Sequence, residues 1–276
     1  MKRPKQTAQS FFLHLGMVAF SALTLLPFFW MLGASFMHAG EASTFPPKFI
    51  PSHATLEQYR LLFSRLSLGR FFLNSLVLAL GVTAVSLLVN SMAGFAFAKF
   101  QFRGKRRLFV FLLSSMIIPG QVTMLPVFLL LKKLGLLNTY FGIILPGMAS
   151  IFGIFLISQY LKSIPDSLIE AARIDGASDF RIYWNIVMPL ASPVLVTLAL
   201  FTFMGTWNDF LWPLIVMTKQ EMYTLPVALA NLVGEHVQDP ELMMAGSVVT
   251  ILPVMIVFLA LQKYYVQGIL LGGVKE

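Results

Sequence analysis

The sequence predicts an all-helical integral membrane protein with six transmembrane helices. Of its 276 residues, 57% are hydrophobic and only 12% are charged, whereas a soluble domain has roughly 25% charged residues. The mean hydropathy of +0.79 points the same way. Because a folded protein still exposes much of its surface, a chain of this composition could not cover its apolar groups in water. We therefore expect lipid to surround most of the chain.

Six stretches are long and apolar enough to cross a bilayer, which takes about twenty residues. They are residues 11–33, 71–97, 108–131, 141–160, 190–217 and 244–261. The first stretch follows the basic residues Lys2, Arg3 and Lys5. Its apolar core is longer than that of a signal peptide, so we expect it to be retained as a helix.

Basic residues predict how the helices are oriented. The formal net charge is +8, and if the N-terminus is cytoplasmic the inner segments hold thirteen Lys and Arg residues against seven outside. Positive residues concentrate on the cytoplasmic side of membrane proteins. We therefore expect both termini inside, and we interpret the charge as a sign of membrane topology rather than of nucleic-acid binding. Residues 38–70 and 218–242 then lie outside, and residues 163–189 lie inside.

Two of the predicted spans contain polar or helix-breaking residues. Pro119-Gly120 and Pro126 interrupt the third span, where each proline removes a backbone donor. Such a break is either a packing kink or the lining of a water-filled cavity. A polar stripe runs along the second span, and we expect it to hold helices together rather than to contact a substrate. The stripe comprises Asn74, Thr83, Ser86, Asn90 and Ser91.

The cytoplasmic connection between the fourth and fifth spans predicts a helix-turn-helix. Ser167 and Glu170 have the spacing of a capping box, which predicts a helix that begins at Leu168. Gly176 is placed to end that helix in a left-handed conformation. The predicted helix-turn-helix is too polar to cross the membrane and too apolar to be a flexible loop.

A second helix in this connection is predicted over residues 177–188, with Pro189 at the entry to the next span. Several apolar side chains of the connection need a surface to pack against. They are Leu168, Ile169, Ala172, Ile174 and Phe180. We therefore expect this connection to be a docking surface for a cytoplasmic partner.

The same connection resembles a known motif. Glu170-Ala171-Ala172, with Gly176 beyond it and Met188-Pro189-Leu190 further on, is similar to the EAA loop of binding-protein-dependent ABC importer permeases. Other segments resemble the carbohydrate-uptake branch of that family, specifically its maltose-type second permease. They are Tyr59, Asn74-Ser75, Thr206-Trp207-Asn208-Asp209-Phe210 and Gln262-Lys263-Tyr264-Tyr265-Val266-Gln267-Gly268. The resemblance covers essentially the whole chain.

The resemblance implies a type I ABC importer permease fold with a cytoplasmic coupling helix. Residues 1–70 would form the N-terminal tail, the first transmembrane helix and an outer loop. Residues 71–276 would form a core permease domain of five transmembrane helices, with the EAA loop at 163–189. The coupling helix would sit in a cleft of a separate ATPase subunit, where Glu170 pairs with a basic group and Gly176 allows the turn. The residues implied for this contact are Ser167, Glu170, Ala171, Ala172, Asp175, Gly176 and Pro189.

The resemblance also implies a mechanism and partners. An ATPase dimer would close on ATP and swing a heterodimer of permeases from inward-facing to outward-facing. An extracytoplasmic solute-binding protein would supply the sugar, and the bacterial inner membrane is the expected location. No cofactor is implied. The tail from Gly268 to Glu276 would reach between the ATPase subunits, although the acidic Glu276 departs from the small residue usual there.

Asp209 is the candidate for contact with the substrate. It is the one carboxylate well inside a predicted span, where an ionised group is costly unless it faces a cavity or a partner. Trp207 and Asn208 adjoin it, and an aromatic face beside a polar acceptor suits a sugar, although the resemblance implies that most substrate contacts come from the other permease. For Trp212, the alternative is a place in the interfacial aromatic belt. We expect an acidic edge on the outer segment, formed by Glu235, Asp239 and Glu241.

Several functions lack the residues they require. The chain has no cysteine, which excludes disulfides and thiolate chemistry. Gly104-Lys105 is not preceded by the glycine of a Walker motif, and the four histidines lack metal-ligand spacing. We therefore expect a transport subunit rather than an enzyme, with ATP hydrolysis on a separate chain. The alternatives are a secondary transporter or channel, an intramembrane enzyme, or an ABC permease for an amino acid, a metal or a phosphate ester. The docking connection has a role only in an ABC permease.

Overall fold

The computed structural model describes residues 4–64, 66–235 and 239–273. Every regular element in these ranges is a helix, in agreement with the predicted all-helical class. The first seven helices are α1 (Pro4–Ala34), α2 (Glu57–Ser64), α3 (Leu68–Lys99), α4 (Lys105–Ser115), α5 (Gly120–Lys133), α6 (Phe141–Gly147) and α7 (Ile151–Lys162). The next five are α8 (Asp166–Ile174), α9 (Asp179–Ile182), α10 (Met188–Leu190), α11 (Ser192–Trp207) and α12 (Leu211–Val216). The last two are α13 (Leu225–Glu235) and α14 (Pro240–Gly273).

Up to six membrane spans are present among the described residues. Three unbroken segments are long and apolar enough on their own, namely Phe12–Ala34, Leu68–Lys99 and Pro240–Gln262. Three further spans require a bent pair of helices to count as one. The pairs are α4 with α5, bent by 100°, α6 with α7, bent by 43°, and Asp179–Leu190 with α11, bent by 79°. The number therefore agrees with the six predicted spans, but half of them are broken.

The breaks follow from residues that cannot continue a helix. Pro119 stands at the N-cap of α5 with extended ψ, so α4 and α5 meet at the predicted interruption of the third span. Pro126, by contrast, lies inside α5 without ending it. The fifth span differs from the prediction, because residues 208–210 separate α11 from the short α12.

The chain divides into two compact units. The first comprises Met1–Gly69 with Ala228–Leu252, and the second comprises Arg70–Val227 with Pro253–Glu276. The second unit contains the connection over residues 163–189 and the three broken spans.

In the first unit, carboxylates organise the outer loop. Oε1 of Glu41 accepts hydrogen bonds from the backbone N–H of Ser52 at 2.7 Å and from Nζ of Lys48 at 3.4 Å. Hydrogen bonding from the Ser52 side chain, followed by that from the Ser52 N–H, the His38 N–H and Lys48, lowers the pKa of Glu41 to about 2. Glu241 is completely buried, and its Oε1 accepts the N–H of Ala42 at 2.7 Å. Glu241 therefore does not contribute to the expected acidic edge, because its carboxylate holds the loop from inside.

The second unit is built around α3, whose polar stripe joins it to other helices. Nδ2 of Asn74 donates to the carbonyls of Glu221 and Tyr223 at 2.9 and 3.0 Å, and its Oδ1 accepts from the Tyr140 hydroxyl at 2.8 Å. Further along, Oδ1 of Asn90 accepts the N–H of Ser150 at 2.9 Å. The expectation that this stripe holds helices together is confirmed for these residues.

Candidate functional site

The helix-turn-helix predicted in residues 163–189 begins earlier than predicted. Helix α8 starts at Asp166, with Pro165 at its N-cap and without a side-chain cap. The expected capping box of Ser167 and Glu170 is therefore absent, and both side chains are exposed. Pro165 explains the difference, because its fixed φ suits entry into a helix and its missing N–H leaves one fewer donor to satisfy.

The end of α8 matches the prediction. Gly176 has a φ of +80°, its N–H donates to the carbonyl of Arg173 at 3.0 Å, and the N–H of Ala177 donates to the carbonyl of Ala172 at 2.9 Å. These two bonds form a Schellman motif, which requires a left-handed residue at this position. Ser178 then caps α9 by accepting the N–H of Arg181 at 3.3 Å. The turn between the two helices is thus fixed by backbone bonds.

The two faces of α8 have different surroundings. Ile169 and Ala172 are 3% and 9% exposed, and they pack into a core that includes Leu161, Ile182 and Leu198. Three other apolar side chains of the connection point away from that core. They are Leu168 (47% exposed), Ile174 (86%) and Phe180 (66%). One face of α8 is therefore held by this chain, while the other remains uncovered.

The seven residues expected to contact an ATPase divide in the same way. Six of them are exposed, namely Ser167, Glu170, Ala171, Asp175, Gly176 and Pro189. Ala172 is buried, so it packs α8 against the rest of the chain and does not lie on the exposed face of the helix.

A buried lysine fixes the start of α8. Nζ of Lys99, whose side chain is 4% exposed, donates to Oδ1 of Asp166 at 2.6 Å and to the carbonyl of Ile164 at 2.5 Å. The hydrogen bond and the positive charge of Lys99 lower the pKa of Asp166 below its usual value. Because Lys99 is the last residue of α3, this contact joins α8 to α3.

The second half of the connection is joined to α3 as well. Residues Tyr183–Val187 adopt a π-helix, and the hydroxyl of Tyr183 lies 2.6 Å from Oγ of Ser91. A π-helix is rare and occurs mostly as a single-turn bulge inside an α-helix, frequently at a functional site. Neither the π-helix nor the role of Lys99 was predicted from the sequence. The only available signal for the Tyr183 contact was the polar stripe that contains Ser91.

A second candidate site is a cavity of about 340 Å³ at the breaks in the third and fifth spans. Its lining comes from α3, α5, α6, α11 and α12 together with Asp209. The lining residues are Val82, Gly120, Gln121, Thr123, Met124, Val127, Ile143, Pro146, Gly147, Thr206, Asp209 and Trp212. The predicted interruption at Pro119-Gly120 therefore lies beside a cavity, one of the two possibilities left open above.

The three residues predicted for a substrate path are not together in this cavity. Asp209 lines the cavity, and its Oδ1 accepts a hydrogen bond from the backbone N–H of Trp212 at 3.3 Å. Trp207 is completely buried, with its ring 5.8 Å from that of Phe203. Asn208 is exposed and donates to the carbonyl of Met204 at 2.9 Å, outside the cavity lining. The chain leaves the helix at Asn208, so these three adjacent residues point to different places.

Comparison with known proteins identifies the family. Residues 90–270 match the family described as binding-protein-dependent transport system inner membrane component. The chain belongs to this family. The matched region includes the whole helix-turn-helix, the broken spans and every residue of the cavity lining except Val82, and the inner-membrane description agrees with the helices found here.

Relatives match over most or all of the chain. The arabinooligosaccharides transport system permease protein AraQ of Halalkalibacterium halodurans is 35% identical over 278 aligned positions, covering 100% of both chains. The lactose transport system permease protein LacG of Rhizobium radiobacter is 32% identical, covering 92% of each chain. The diacetylchitobiose uptake system permease protein NgcG of Streptomyces coelicolor is 31% identical over 91% of this chain and 84% of its own.

Solved structures confirm the fold. A chain of a bacterial ABC transporter involved in the import of the acidic polysaccharide alginate superposes with a TM-score of 0.84 at 26% identity, covering 96% of this chain and 99% of that chain. A chain of an alginate ABC transporter in complex with a pentasaccharide-bound periplasmic protein superposes with a TM-score of 0.64 at 15% identity, covering 94% and 96%. The permease fold implied by the sequence is therefore the fold of this chain.

Proposed function

We propose that this chain is a permease subunit of an ATP-driven importer that moves a sugar, as a di- or oligosaccharide, into the cytoplasm. Three of the relatives are named for the transport or uptake of arabinooligosaccharides, lactose and diacetylchitobiose, which are all sugars, and a further one is named for the uptake of osmoprotective compounds. The chain is a transport subunit without its own catalytic site, and a separate protein hydrolyses the ATP.

The observation that carries the coupling role is the two-sided environment of α8. Ile169 and Ala172 hold one face in the core of this chain, while Glu170 and the apolar Leu168 and Ile174 remain exposed. An exposed apolar patch with a charged residue beside it is typical of a protein-protein contact. A cleft on an ATPase subunit would cover this face, and a basic group there would pair with Glu170.

The fixed ends of α8 suit the transmission of force. Gly176 and its two backbone bonds hold the turn at one end, and Lys99 holds the other end to α3. Movement of a docked ATPase would therefore pass into α3 rather than being absorbed by a flexible loop. In this arrangement Ser167, Ala171 and Asp175 contribute to the exposed docking face, and Pro189 lies where the connection enters the fifth span.

The remaining parts of the proposal follow the family arrangement. The partners are a second permease subunit, which completes a heterodimer, an ATPase dimer and an extracytoplasmic solute-binding protein. Both termini lie in the cytoplasm, residues 1–70 precede a core domain of residues 71–276, and Asp209 contributes to the substrate path. The residues from 274 to 276, at the end of the tail expected to reach the ATPase, lie outside the described residues, as do the side chains from 263 onward.

Co-purification tests the coupling role directly. The tagged chain is extracted from its native host in mild detergent, and the co-purifying proteins are identified by mass spectrometry. We expect a second permease and an ATPase with the wild type, and loss of the ATPase alone with Glu170→Lys combined with Gly176→Pro. Glu57→Lys, which makes the same charge change at an exposed position in the first turn of α2, is the control and should retain every partner.

The secondary-transporter alternative predicts the opposite result. In that case the wild-type chain would emerge alone or as a homodimer in several detergents, and the two variants would behave identically. An ATPase that stays bound to the double variant would contradict the assignment of α8, although not the membership of the family.

A further inference from the structure

We propose that the cavity beside Asp209 is a sugar subsite within this subunit, selective for neutral over acidic sugars. The proposal rests on the proposed sugar import and adds where this chain contacts the sugar and which class of sugar it accepts. It also replaces the substrate path expected from sequence, since Trp207 is buried elsewhere and Asn208 is outside the lining.

The cavity lies where a membrane transporter would hold its cargo. Val82, which lines it, is near the middle of the 32-residue helix α3. Residues next to both helix breaks line it, namely Gly120 after Pro119, and Thr206 and Asp209 on either side of Asn208. Binding sites in transporters lie near the middle of the bilayer at interrupted helices, because non-helical backbone is tolerated there only beside protein or a water-filled space. The volume of about 340 Å³ is within the usual range for small-ligand sites, roughly 300–1,000 Å³.

The lining has the two kinds of surface that a sugar ring requires. Gln121, Thr206 and Asp209 supply hydrogen-bonding groups, whereas Met124 and Trp212 supply apolar and aromatic surface. A sugar ring has polar hydroxyls at its edge and C–H groups on its faces, so it needs both. The backbone N–H of Trp212 donates to Oδ1 of Asp209 at 3.3 Å. The carboxylate has further lone pairs that can accept hydrogen bonds from sugar hydroxyls.

The charge of the lining favours neutral sugars. Among the described residues that line the cavity, Asp209 carries the only formal charge. The carboxylate of an acidic sugar would face Asp209 without a lysine or arginine of this lining to balance it, and like charges repel. The structurally similar alginate importer carries an acidic polysaccharide, so we expect this chain to differ from it in cargo.

Uptake by the complete complex tests the subsite. The two permeases and the ATPase are reconstituted in proteoliposomes with saturating binding protein, and radiolabelled arabinotriose and raffinose are the probes. We expect Asp209→Asn and Gln121→Ala to lower the maximal uptake rate at least fivefold, and Thr206→Val to lower it about twofold. Asp209→Asn retains an oxygen for the Trp212 N–H, so the local fold is kept. Thr197→Val, a similar change on α11 outside the lining, is the matched control and should transport at the wild-type rate.

A direct binding measurement tests the preference for neutral sugars. Tryptophan fluorescence of the complex in nanodiscs, without the binding protein, is titrated with raffinose, arabinotriose and an alginate trisaccharide at millimolar concentrations. We expect quenching by the neutral sugars alone, loss of that quenching in Trp212→Phe, and new quenching by the alginate trisaccharide in Asp209→Asn.

The outcomes separate the two proposals. If the wild type takes up sugar and all the lining variants match it, the subsite is wrong and the import function stands. If binding-protein-stimulated ATP hydrolysis falls together with uptake, the variants have damaged the fold or the coupling, and the subsite assignment is also rejected. If the wild type hydrolyses ATP but takes up neither sugar, both the sugar import and the subsite are rejected. Equal quenching of the wild type by acidic and neutral sugars would overturn the selectivity.

Discussion

Nζ of Lys99 lies 2.6 Å from Oδ1 of Asp166, so the last residue of α3 forms a hydrogen bond with the first residue of α8. The two ends of this contact differ in environment, since the Lys99 side chain is 4% exposed and that of Asp166 is 76% exposed. An isolated surface ion pair contributes little to stability. The Lys99–Asp166 pair matters through its position in the fold. Nζ of Lys99 also donates to the carbonyl of Ile164 and so fixes the residues that lead into α8.

Replacing Lys99 by methionine should weaken coupling more than assembly. Met fills similar space but leaves the Ile164 carbonyl without its donor, at a cost of about 1–3 kcal/mol. We expect the complex to co-purify intact while the sugar transported per ATP hydrolysed falls severalfold, measured in proteoliposomes. Lys133→Met, at an exposed position in the last turn of α5, is the control. An unchanged transport ratio in Lys99→Met would show that this contact has no part in coupling.

The Lys99–Asp166 pair should respond to acid. Because the pKa of Asp166 is lowered in the folded state, the pair contributes stability that is fully present above the unfolded pKa, near 4, and is lost as the pH falls below it. Hydrogen exchange of the amides in the second turn of α8, which bond to the carbonyls of the first turn, should therefore be constant, after correction for intrinsic rates, from pH 8 to about 5 and accelerate below that. Asp166→Asn should remove the pH dependence, and a wild type that loosens already near pH 6 would contradict the assignment.

Gly33 and Gly16 on α1 form a matched pair for a packing test. A Cβ at Gly33 would lie 2.5 Å from the carbonyl oxygen of Phe49, whereas a Cβ at Gly16 would meet nothing within 4 Å. Gly33→Ala should destabilise the first unit by about 1–3 kcal/mol, because backbone must move. Gly16→Ala should be neutral or slightly stabilising. Thermal unfolding in detergent, followed by circular dichroism, measures both, and equal melting temperatures would refute the close approach of the outer loop.

Asn74 and Thr83 on α3 test which polar residues of the stripe hold the helices. Asn74→Leu removes donors to Glu221 and Tyr223 and the acceptor for Tyr140, so we expect a loss of about 2–4 kcal/mol. The hydroxyl of Thr83 is buried and, among the described residues, has no hydrogen-bond partner. Thr83→Val should therefore be neutral or stabilising. Chemical denaturation of the purified chain compares the two, and similar losses would contradict this division of the stripe.

Much of the architecture could be predicted from local sequence, and the site only in part. The long apolar runs predicted the spans, and Gly176 predicted the end of α8, because both features act through neighbouring residues alone. The start of α8 was misplaced, since Ser167 and Glu170 have capping spacing but Pro165 and the distant Lys99 determine where the helix begins. The substrate path was predicted from Trp207 to Asp209 as consecutive residues, and only Asp209 reaches the cavity.

The sequence alone determined that this is a membrane protein, that it crosses the membrane with about six helices, and that the connection over residues 163–189 contains a short helix that ends at a glycine. These properties follow from hydrophobic length and backbone conformation, which each segment carries by itself. Only the tertiary structure decided which face of α8 is free, which polar residues of α3 find partners, and that Gln121 and Asp209 line one cavity. Those properties depend on side chains brought together from helices far apart in the chain, and helix breaks such as the one at Asn208 change the direction of each side chain that follows.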